Sequence, residues 1–88
     1  MFGFKQKREV KRLLDEARGK NQRAVEALDE GRCVQAFDHY VAVVWRYSVA
    51  RRLMDEFKPS RELANDFALA TSEFNQTRSR MNRCLCDK

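Results

Sequence analysis

Turn-forming residues are scarce in this chain, with three glycines and one proline among 88 residues. A β-sandwich or barrel needs turn signals about every 8–12 residues, so the composition leaves helices as the building material. No apolar stretch approaches the roughly 20 residues of a membrane span, and the first residues, Met1-Phe2-Gly3-Phe4-Lys5, lack the apolar run of a signal peptide. The expectation is a cytoplasmic protein whose three cysteines, Cys33, Cys84 and Cys86, are reduced thiols.

Catalytic residue sets are equally scarce. The one histidine, His39, stands beside Asp38, but neighbours on a helix diverge by about 100° and cannot form an orienting pair. No Ser-His-Asp, Cys-His or paired-carboxylate spacing is present. No two glycines stand close enough for a phosphate-binding loop, the closest being Gly19 and Gly31. The reading is therefore of a protein without catalytic residues, cofactor or metal. A Cys₃His zinc site from Cys33, His39, Cys84 and Cys86 is the one alternative that topology would permit, although Cys84-x-Cys86 falls outside the usual ligand spacing. Cys33 and Cys84 instead fall on apolar stripes, where cysteine acts as a small hydrophobe.

What the chain does contain is 43% hydrophobic and 35% charged residues, a balance that folds. The net charge of +5 is uneven: residues 1–24 carry +5, residues 77–88 carry +3, and the middle is slightly acidic. Val10, Leu14, Ala17, Ala24 and Leu28 recur at helical spacing, which predicts a helix over residues 5–30 that stops at Gly31. Gly19 and Asn21 lie inside it, and glycine costs about 1 kcal/mol there, so a kink or break is expected at that point.

The second helix, residues 32–57, carries Cys33, Ala36, Tyr40, Val43, Tyr47, Ala50, Met54 and Phe57 in alternating steps of three and four. Val34, Phe37, Val41, Val44 and Trp45 widen its apolar arc to about 200°. Pro59 ends it and Ser60 caps the next. The third helix, residues 61–84, presents a narrow stripe of Leu63, Phe67, Ala70, Phe74, Thr77, Met81 and Cys84. Long helices joined by short connections predict an all-α antiparallel three-helix bundle, one domain over residues 1–88. The broad arc on the second helix exceeds what two thin partners cover, which points to a dimer or another macromolecule seated on Phe37, Val41, Trp45 and Val49.

Two further surfaces compete for function. Lys5, Arg8, Lys11 and Arg12 on the first helix and Arg51 and Arg52 on the second are expected to share one basic pole, suited to an acidic protein, a nucleic acid or an anionic membrane. The segment from Arg61 to Phe74 resembles the helix-turn-helix of DNA-binding repressors, which implies that Asn75, Gln76, Arg78 and Arg80 face bases and phosphates. Ala68 stands at the usual glycine turn and Thr77 at a late apolar position. Ala68-Leu69-Ala70 is strong helix-forming sequence, which predicts an unbroken helix instead. Membrane docking through Phe2, Val10, Leu13 and Leu14 is the weakest reading, because the same residues are needed for packing. The primary reading is a non-enzymatic interaction module, a small regulator, adaptor or inhibitor that binds a larger protein partner; the alternative is DNA binding.

Overall fold

The computed structural model describes residues 2–86, with side chains from residue 5 onward. Three helices, α1 (Phe2–Asp29), α2 (Cys33–Met54) and α3 (Arg61–Cys86), run up, down and up in a rod of 50 × 17 × 16 Å. The all-α three-helix bundle is thus observed.

The turns are local consequences of residue type. Gly31 adopts φ +75°, and the Arg32 and Gly31 amides donate to the carbonyls of Ala27 (2.8 Å) and Leu28 (3.0 Å). Such a left-handed residue with paired back-bonds terminates α1 and turns the chain into α2. At the other pole the Ser60 hydroxyl accepts from the Leu63 amide at 3.2 Å and starts α3. Helix α2 ends at Met54, three residues short of the expected Phe57. Pro59 restricts only Lys58 directly, yet the Asp55 and Glu56 amides still bond back to Arg51 and Leu53, and Phe57 turns in to pack on the core. The tail from Leu85 to Lys88 reads from sequence as a frayed end, but Leu85 and Cys86 are helical, and residues 87–88 lie outside the described residues.

The expected break at Gly19 and Asn21 does not form, since α1 is continuous. Val10, Ala17 and Ala24 on α1 and Ala36, Val43 and Ala50 on α2 are each fully buried at seven-residue intervals. Small residues at this repeat let the two helices approach closely along their length, and that packing outweighs the local glycine cost. A Cβ added at Gly19 would meet nothing within 4 Å. Gly19→Ala is therefore expected to raise stability by about 0.5–1 kcal/mol, read from the denaturant midpoint.

Helix α3 is held less extensively than α1 and α2 hold each other. Arg18 forks onto Glu73 with two bonds of 3.0 Å, and Arg80 pairs with Asp29 at 2.6 Å. Tyr47 stacks on Phe67 (centroids 5.0 Å) and meets Phe74 edge-on (5.8 Å). The Tyr40 hydroxyl donates to the Phe74 carbonyl at 3.2 Å, and burial pushes its pKa above the ordinary tyrosine value.

One core position is chemically mismatched. Asn21 is 8% exposed on the core stripe of α1, and its Oδ1 has no hydrogen-bond partner. A buried acceptor without a donor costs about 1–3 kcal/mol, and leucine has nearly the same shape. Asn21→Leu is expected to stabilise the chain by about 1–2 kcal/mol in a urea melt; destabilisation would show that the amide is satisfied in solution.

Candidate interaction surface

Cys33 at the start of α2 and Cys84 near the end of α3 lie with Cα atoms 5.8 Å apart and are joined in a disulfide, while Cys86 is free and exposed. The expectation of three reduced thiols is corrected. Antiparallel topology puts both apolar stripes at one pole, and cysteines at facing stripe positions fall within bonding range. This also removes two ligands of the zinc alternative, and among the described residues no cluster of three His, Cys, Asp or Glu is arranged to hold a metal ion.

Of the residues expected on the apolar arc, Phe37, Val41 and Trp45 lie exposed on one face of α2, with Trp45 at 62%. Val34 and Val44, both exposed, extend that face. Val49 departs from them: it is half-buried and packs against the core. The Arg46 guanidinium lies 5.8 Å from the Trp45 ring centroid and also pairs with Glu16 at 3.0 Å, so the indole rests beside a fixed cation. Both neighbouring helices pack on the other sides of α2, because Cys33, Ala36, Tyr40, Val43 and Ala50 take all the buried positions. An arc wider than two slender helices can cover leaves its remainder in solvent. Beside Val44 the α2–α3 interface opens into a cleft of about 250 Å³ floored by Tyr40, Tyr47 and Phe74.

The basic pole brings together the N-terminal end of α1, the C-terminal end of α2 and the start of α3. Lys5, Arg8, Lys11, Arg51 and Arg52 are exposed there and form no ion pair among the described residues. Arg12 differs, being engaged by Glu9 and Glu16. Its hydrogen bond holds the Glu9 carboxyl below the usual carboxylate range; for Glu16 the bond from Arg46 does most of the same work. Gln6 donates to Glu56 across the pole at 2.9 Å. The side chain of Phe2, which a membrane reading would use, lies outside the described residues; no helix among them is long and apolar enough to cross a membrane.

Helix α3 passes through Ala68, Leu69 and Ala70 without a turn, so the segment resembling a helix-turn-helix lacks the geometry of one. Its proposed reading residues divide between two sides: Asn75 and Arg78 border the α2–α3 cleft, whereas Gln76 and Arg80 line a groove between α1 and α3. Arg80 is already paired with Asp29. That groove, about 550 Å³ and polar, opens where Gly19 presents no side chain to α3. Sequence reasoning did not find the groove, and the only signal for it was Gly19 and Asn21 on the side of α1 that meets α3. Comparison with protein-family models, curated proteins and solved structures gives no match to this chain.

Proposed function

We propose that this chain is a non-enzymatic interaction module, a small regulator, adaptor or inhibitor that acts by binding a macromolecular partner through the outward face of α2. The observation that carries this reading is the run Val34, Phe37, Val41, Val44 and Trp45, five large apolar side chains all at least 44% exposed on one helix face. Together they expose on the order of 500 Å² of apolar surface, near the upper end of what a monomer carries without a partner. Aromatic residues ringed by aliphatic ones are the usual anchors of binding energy. Affinity capture from native lysate, comparing the wild-type chain with Val41→Glu, tests it: partners should be lost with the substitution and survive nuclease. Capture indifferent to Val41→Glu would refute the reading.

A second reading rests on the unpaired cations of the basic pole, which suit sequence-indifferent contact with a polyanion. Its signature is affinity that falls steeply between about 50 and 200 mM salt. Compartment is part of the proposal too. The sequence favours the cytoplasm, whereas disulfides persist mainly in oxidising compartments. Alkylation of thiols in intact cells, counting one or three reactive cysteines per chain, decides between them.

A further inference from the structure

Resting on the reading of the α2 face as a contact surface, we infer that its occupant is a second copy of the same chain, packed antiparallel across a two-fold axis near Val41. The face is self-complementary. Val34, Phe37, Val41, Val44 and Ser48 follow one another at three- and four-residue steps with Trp45 beside them, a seam that a like helix can mesh with. A two-fold axis near Val41 sets Phe37 of each chain level with Trp45 of the other, so the two largest side chains meet twice.

Charge selects the direction. Arg51 and Arg52 lie beyond its C-terminal end, exposed and without an ion pair among the described residues. Antiparallel apposition about Val41 sets the arginines of the two chains at opposite ends of the seam. Parallel apposition would set arginines against arginines. Area agrees with a pair as well. The face exposes on the order of 500 Å² per chain, so a symmetric pair would bury about 1,000 Å² in total, at the small end of specific interfaces.

The association is driven by apolar burial between chains that each carry +5. Added salt screens their mutual repulsion, so the dimer should hold or tighten as salt rises, opposite to contact with a polyanion. The test uses the full chain with Cys86→Ser, which removes the exposed thiol and with it any disulfide-linked pair. Sedimentation equilibrium and the emission of Trp45, the sole tryptophan, are followed from about 1 to 300 μM, the range in which an interface at the small end of the size classes assembles. The expected result is a monomer–dimer equilibrium with an emission blue shift in step with it. Val41→Glu should weaken it at least 30-fold, since it sets two carboxylates face to face at the axis. Thermal melts of the dilute monomers should stay unchanged, since every substituted side chain is exposed.

A wild-type chain that stays monomeric throughout, yet captures another protein in a Val41→Glu-sensitive way, overturns the dimer and leaves the α2 face a contact surface for a foreign partner. A monomer with no Val41-sensitive partner overturns both. A dimer that ignores Val41→Glu and Trp45 overturns the antiparallel packing about Val41.

Discussion

Reduction of the Cys33–Cys84 bond, or Cys84→Ser, is expected to lower the unfolding free energy by about 2–4 kcal/mol and the melting temperature by roughly 10–25 °C. The bond spans 51 residues of sequence. Closing a loop of that length removes unfolded-chain entropy equivalent to about 4 kcal/mol, an upper figure because the reduced chain keeps some structure. The loss should fall unevenly. Helices α1 and α2 share a close alanine-lined seam, whereas α3 is held by Leu63, Phe74 and Met81 in the core, aromatic contacts near Tyr47, two exposed ion pairs and the disulfide at its far end. Exposed ion pairs contribute little, so the C-terminal half of α3 should be the first segment to lose amide protection on reduction. Cys86→Ser should change nothing, because that side chain is exposed and unpaired. Denaturant melts with and without reductant, beside hydrogen exchange over residues 75–86, check the expectation. Equal melts would mean that the bond is absent in solution.

The fold was legible because each signal was strong and local. The three stripes, Gly31 and Pro59-Ser60 acted independently and agreed. The failures have a common cause: each needed to know what sat opposite. Gly19 and Asn21 read as a break because one helix was weighed alone, yet α1 lies along α2 through Val10, Ala17 and Ala24 and continues unbroken. Cys33 and Cys84 were visible at the same pole but read as thiols, since pairing depends on distances that spacing does not supply. The split of Gln76 and Arg80 from Asn75 and Arg78 follows from about 100° spacing along an unbroken α3, which Ala68-Leu69-Ala70 already predicted. The exposed arc on α2, by contrast, was legible as an excess of apolar positions over available neighbours. Only Val49 was misplaced, by lying at the margin where the arc meets the core.

Trp45→Ala is expected to leave the monomer's stability within about 0.5 kcal/mol while weakening association by 2 kcal/mol or more, about 30-fold. The first half follows from exposure. At 62% exposure Trp45 has lost little surface to the fold, and it lies beside the Arg46 guanidinium, itself anchored to Glu16 and the Ala42 carbonyl. Truncation removes no core contact and leaves no cavity. The second half follows from position. Trp45 lies on the same face as Val41, and a large aromatic buried there against a partner contributes on the order of 1.5–3 kcal/mol of apolar transfer, more where ring geometry with Phe37 is favourable. Trp45→Phe should recover most of the affinity, since it restores an aromatic surface without the indole N–H, whereas Trp45→Lys should behave as badly as alanine. The two quantities come from separate measurements, a urea melt at a concentration below the association midpoint and a sedimentation series above it. A large fall in monomer stability with association unchanged would make Trp45 a structural residue. The cations at Lys5, Arg8, Lys11, Arg51 and Arg52 would then become the surface to mutate next.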